Sequence, residues 1–110
     1  MKLDPVPFAQ IKSGVKTIEL RLYDEKRWQI AVGDTIFFTS TEDPGQTIAA
    51  RVDALYRFPS FAELYLSLPL LRCGYTAETV AQASPADMER YYSRERQRQY
   101  GVVGIALSLL

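Results

Sequence analysis

From Thr17 to Tyr23 the chain alternates strictly. Ile18, Leu20 and Leu22 are apolar, whereas Thr17, Glu19, Arg21 and Tyr23 are polar or amphipathic. A period of two marks a half-buried strand, because successive side chains leave a strand on opposite faces. Glu19 and Arg21 therefore share the face away from the aliphatic one. Lys16 stands at the start of the strand, after the permissive Gly14. A cation, an anion and a cation thus fall within six residues. One reading is a solvated strand face carrying an ion pair that contributes about 0–1 kcal/mol. The other is a constellation that binds or acts on a ligand.

Composition narrows the chemistry open to such a site. The chain has 110 residues, expected to form one domain over 1–110, and its 13 basic and 13 acidic residues cancel. A strongly basic footprint of the nucleic-acid type is absent overall, so any polyanion has to be held by a local patch. There is no histidine, and Cys73 is the sole cysteine. Zinc sites of the Cys/His kind, Ser-His-Asp triads, Cys-His dyads and intrachain disulfides are excluded. Acid-base chemistry would fall to Lys, Glu, Asp or Tyr. No clustered Asp/Glu motif suggests a metal, and no cofactor is expected. Cys73 reads as a small buried apolar residue. No apolar run is long enough to span a bilayer, and the first residues lack the apolar stretch of a signal peptide. These features together predict a cytoplasmic protein without membrane contact.

Taken in order, Pro7 to Gly14 reads as a short helix, followed by the alternating strand. Asp24 to Gln29 is a charged turn or a single helical turn, with Trp28 read as a lid over the core and base stacking as its alternative use. Val32-Gly33-Asp34 turns the chain into a strand over Thr35 to Ser40. Glu42 to Gln46 is a hairpin loop. A longer strand runs from Thr47 to Tyr56, with Ile48, Ala50, Val52, Ala54 and Tyr56 as its apolar set and Arg51 and Asp53 on the polar face. Ser60 and Glu63 have the spacing of a capping box opening a helix that Pro69 ends. Short helices are expected over Thr76 to Ala83 and from Ser84-Pro85-Ala86-Asp87 through Tyr92, ending or continuing near Ser93. Val102 to Leu109 is a closing strand. Strands flanking a helical insertion suit a small mixed β-barrel.

Four stretches also resemble a known family in order and spacing. They are Gly14-x-Lys16-x-x-Glu19-x-Arg21; Val32-Gly33-Asp34 before an apolar strand; Phe58-Pro59-Ser60-Phe61 after a second strand; and Tyr100-Gly101-Val102-Val103-Gly104-Ile105 near the end. Together they resemble ASCH domains, a branch of the PUA-like superfamily, over nearly the whole chain. The resemblance implies an α+β fold, a small mixed β-barrel of the PUA-like type with helices packed at its ends. It also implies a charged cleft for RNA or a modified nucleoside or nucleotide, lined by Lys16, Glu19 and Arg21. From the Tyr- and Arg-rich segment 91–100, Tyr92 and Glu95 are the members expected to face that cleft.

Two alternatives stand beside binding. One is a metal-independent hydrolase, an N4-acylcytidine amidohydrolase or a ribonuclease, with Lys16 and Glu19 as its catalytic pair. One bacterial branch of the family hydrolyses N4-acetylcytidine with a lysine, a threonine and a glutamate. Its lysine corresponds to Lys16, but its threonine falls at Glu19, so that triad is not intact here. Glu78 is the candidate for its glutamate. The other alternative is a module that binds a protein partner.

Overall fold

The computed structural model describes residues 1–110. Five strands form one sheet: β1 (Lys2–Leu3), β2 (Ile18–Leu22), β3 (Thr35–Ser40), β4 (Thr47–Phe58) and β5 (Val102–Leu109), in the spatial order β1-β3-β4-β5-β2. β1 pairs with β3 in parallel, and the other three pairings are antiparallel. The sheet curls into a half-barrel whose two edges are β1 and β2. Four α-helices accompany it: α1 (Pro5–Lys12), α2 (Glu25–Trp28), α3 (Phe61–Ser67) and α4 (Arg94–Tyr100). Between α3 and α4 lie three 3-10 segments, Leu70–Arg72, Val80–Gln82 and Pro85–Arg90.

β5 is apolar on both faces because both are covered. Val103, Ile105 and Leu107 enter a core with Leu3, Phe8, Ile11, Phe38 and Val52, inside the half-barrel. Val102, from the opposite face, enters a second core with Ile18, Leu20, Leu22 and the α3 residues Phe61, Leu64 and Tyr65. A continuous apolar run is the expected sequence of a strand buried on two sides. β2 is placed differently. Ile18, Leu20 and Leu22 pack under α3, which turns Glu19 and Arg21 toward the half-barrel, opposite Ile105 and Val103. The charged face is therefore not a solvated one, because Glu19 is only 3% exposed.

Several local expectations are revised. β4 runs on to Phe58 and carries a bulge between Val52 and Ala54, which shifts its alternation by one. Leu55, opposite Ile105, takes the core position that unbroken alternation assigns to Ala54 and Tyr56, and Tyr56 is exposed. Ser60 occupies the N-cap of α3 without a side-chain capping bond. The capping box forms instead at Ser84 and Asp87. No helix spans Thr76 to Ala83: the Thr79 hydroxyl accepts from the Thr76 N–H at 2.8 Å, the local competition that makes threonine a poor helix interior. The chain breaks at Ser93, whose hydroxyl accepts from Arg96 N–H and starts α4 afresh. Trp28 is not a core lid. It is 54% exposed, with its indole N–H donating to the Tyr23 carbonyl at 2.7 Å. β1 is a strand of two residues that no periodicity could announce.

Candidate functional site

Lys16 precedes β2 in a segment tied on three sides. Its own N–H donates to the Gln10 carbonyl on α1, Thr17 N–H donates to the Arg72 carbonyl, and Leu107 N–H donates to the Thr17 carbonyl. The side-chain amide of Gln10 reaches the Gly74 carbonyl at 3.2 Å. Gly74 has φ +111°, and a Cβ there would stand 3.4 Å from Gln10 Oε1 and 3.5 Å from Lys16 Cδ. A side chain would thus be strained in its backbone and would stand in ordinary contact with the lysine stem. The connector after α3 therefore forms one wall of a slot in which the lysine lies.

The slot directs Lys16 at Glu19, with Nζ and Oε1 2.7 Å apart. The other Glu19 oxygen accepts twice from Arg21, from Nε at 2.9 Å and Nη2 at 2.7 Å. Arg21 Nη2 also donates to the Lys2 carbonyl at 2.9 Å, so the guanidinium reaches from one sheet edge to the other. Burial works to raise the Glu19 pKa, but the charges and hydrogen bonds of Lys16 and Arg21 outweigh it and hold the carboxyl below its ordinary value. Burial likewise works against the Arg21 charge, yet Glu19 first and Tyr92 next raise its pKa above normal. The triad carries one net positive charge. Three bonds from the two cations engage both Glu19 oxygens. Lys16 has two further N–H groups to offer a ligand, and the Arg21 donors not engaged by Glu19, Lys2 or the neighbouring Tyr92 add to them.

This triad lines a cleft of about 800 Å³ between α1, β2 and the 3-10 segments. On its far wall Tyr65 and Tyr75 join their hydroxyls at 2.7 Å, and Tyr75 donates to Asp87 Oδ2 at 2.7 Å. Asp87 also accepts from Ser84 N–H within its capping box. Burial, reinforced by Tyr65 and Asp87, pushes the Tyr75 hydroxyl far above the ordinary tyrosine range, so it stays a donor. Tyr92 stacks on Phe61 with ring centres 6.3 Å apart, and Tyr91 stands exposed at the rim beneath the Arg90 guanidinium. Cys73 lies in the lining as well. Burial pushes its thiol up to about 11, which keeps it protonated and poorly nucleophilic.

Lys16, Glu19, Arg21 and Tyr92 are thus brought together, and Glu95 is not. It lies exposed on α4, outside the cleft lining, as does Glu78 in the turn after Tyr75. Tyr65, Tyr75, Asp87 and Arg90 line the cleft and were not singled out from sequence. Asp87 was legible as a helix-opening residue, which it is. Its second bond, to Tyr75, depends on how the connector folds back. No three Cys, Asp or Glu side chains gather as a metal-holding group.

A half-barrel with a buried cation–anion–cation triad at the foot of an aromatic cleft defines a small α+β domain of the PUA-like kind. The ASCH domain family model matches residues 1–110, and the chain belongs to that family. Two solved structures share its fold. The crystal structure of hypothetical protein PH0355 is 30% identical, with all of each chain covered and a TM-score of 0.75. The solution NMR structure of protein PF0455 from Pyrococcus furiosus is 30% identical, covering all of this chain and 98% of that one, with a TM-score of 0.71. No curated protein matches. No helix is long and apolar enough to cross a membrane.

Proposed function

We propose that the cleft binds a ribonucleotide unit, free or within single-stranded RNA, by gripping an acceptor group with Lys16 and Arg21. The observation that carries this reading is the state of Glu19. Its carboxylate is committed to two cations, and the donors left over belong to Lys16 and Arg21. Such a site favours a phosphate or the carbonyl edge of a base over an exocyclic amino group. Tyr92 and Tyr91 offer flat rings for the base, and a cleft of about 800 Å³ is in the size range of small-ligand sites. Glu19 positions the two cations, and Tyr75, whose hydroxyl hydrogen is held by Asp87, helps fix the opposite wall.

Calorimetric titration with ribonucleoside 5′-monophosphates and the matching nucleosides tests the reading. Nucleotides should bind, and Lys16→Ala should weaken them about 10- to 150-fold, the worth of a hydrogen bond to a charged group. No heat with any nucleotide, or equal affinity in the variant, would sink it. The 2.7 Å contact between Lys16 and Glu19 favours one second reading, a hydrolase that passes a proton along that pair. Mass analysis of N4-acylcytidines and RNA after incubation decides between the two. Lys16-dependent loss of an acyl group, or strand scission, would replace binding with catalysis.

A further inference from the structure

Beyond the cleft, β2 leads to a second cluster of aromatic and basic side chains. Tyr23, two residues past Arg21 and so about 7 Å further along the strand, lies beneath the Arg57 guanidinium, 4.1 Å from ring centre to Cζ. The Tyr23 carbonyl holds the Trp28 indole N–H at 2.7 Å, which fixes the indole's orientation. One side of Trp28 rests against Tyr100, with ring centres 6.4 Å apart, and the indole is still 54% exposed. The Tyr100 hydroxyl donates to Glu25, and Arg96 stands 5.9 Å above the Tyr100 ring. A large aromatic side chain held open in this way forgoes part of its burial, and nothing in the core requires it there.

We infer that Trp28 and Tyr100 form a stacking platform for an unpaired base of single-stranded RNA, one that flanks the nucleotide held in the cleft. The inference rests on the cleft reading above. Charge decides the kind of partner. Lys26, Arg57 and Arg96 have no carboxylate partner, while Glu25 is engaged by Tyr100 and Glu95 is the one acid that α4 adds. Glu25 keeps its charge under that bond, so the three free cations exceed Glu25 and Glu95 by one around an exposed ring, in a chain of zero net charge. Alternating rings and arginines, with little hydrogen-bonding specificity, are what a single strand recognises. The Tyr23 carbonyl bond to the Trp28 indole ties the platform to the end of the strand that carries Glu19 and Arg21.

Trp28 is the chain's only tryptophan, so its fluorescence reports the platform directly. A mixed-sequence single-stranded RNA hexamer should quench it, whereas a mononucleotide filling the cleft should not. Trp28→Ala should weaken the hexamer about 5- to 150-fold and leave mononucleotide affinity unchanged. Arg96→Gln should lower the salt slope of hexamer binding by about 0.7. If the hexamer binds without quenching, and both variants bind it like wild type, the platform is not an RNA site and a protein partner becomes the better occupant. In that case mononucleotide binding, and with it the cleft reading, still stands. If neither mononucleotide nor hexamer binds, both readings fall together. Should Trp28→Ala not fold, wild-type quenching and Arg96→Gln still decide.

Discussion

Removing the Glu19 carboxylate leaves two cations, with side chains 9% and 15% exposed, facing one another without a counter-ion. Breaking a buried ion pair from one side costs about 3–5 kcal/mol, because the partner left behind is neither solvated nor neutralised. Glu19→Gln should therefore lower stability by about that amount in urea denaturation at neutral pH. The loss should be smaller when Lys16 is replaced by Met in the same chain, since one stranded charge is then gone. The pH dependence has a definite sign. The folded pKa of Glu19 lies below its ordinary value of 4.5, so the unfolded chain binds more protons in the acid range. The stabilisation is fully present above about 4.5 and is lost as pH falls through the folded value. Wild-type midpoints should fall in that acid window, and Glu19→Gln should lack this component. Parallel acid slopes in the two proteins would show that Glu19 is not held as a carboxylate by its neighbours.

Where α4 meets β5, one backbone conformation sets the geometry of both elements. Gly101 has φ +71° and ψ −174°, a region nearly closed to other residues, and a Cβ there would meet the Phe58 carbonyl at 3.0 Å. Its N–H closes α4 on the Gln97 carbonyl, and its own carbonyl receives Tyr23 N–H. Gly101→Ala should destabilise by about 1–3 kcal/mol, seen as a lower thermal midpoint, and an unchanged midpoint would contradict the strain. The glycine and the apolar run behind it were legible in the sequence, as were β2, β3 and the start of β4, because strand periodicity and turn residues are local signals. The bulge at Asp53 was not legible, since it answers to pairing with β5. The segment between Thr76 and Arg90 looked helical by its caps and proved to be 3-10 turns. The Ser84–Asp87 cap is real, but the runs are too short to offset the cost of nucleating an α-helix. The charged triad was legible as a motif, and its burial was not. Period-two alternation gives the face on which a side chain lies, whereas whether that face meets water depends on how far the sheet curls.

At the scale of the whole molecule the sheet is open between its first and last spatial strands. β1 contributes two residues, and β2 has no strand on its outer side. Arg21 spans the gap, its Nη2 shared between the Lys2 carbonyl on β1 and Glu19 on β2. A guanidinium can make both bonds at once because its donors are fixed in one plane, which a lysine ammonium cannot reproduce. The clamp should therefore control how long β1 stays docked. Its other bonds run to β3 and the turn after it, where Thr39 N–H donates to the Met1 carbonyl and Thr41 N–H to the Leu3 carbonyl. In Arg21→Lys, native-state hydrogen exchange at the Thr39 and Thr41 amides should quicken about 10-fold, corresponding to loss of a charge-assisted bond worth about 1.5 kcal/mol. The Val52 amide, bonded to the Asp34 carbonyl away from the gap, should keep its protection. Equal acceleration at all three would mean that the substitution weakens the molecule globally. No acceleration at Thr39 and Thr41 would mean that β1 is held by β3 alone. Local acceleration would establish that the triad which gives the cleft its charge also closes the half-barrel. Ligand contact with Arg21 would then be felt at β1, and nucleotide binding should slow exchange at the same two threonines.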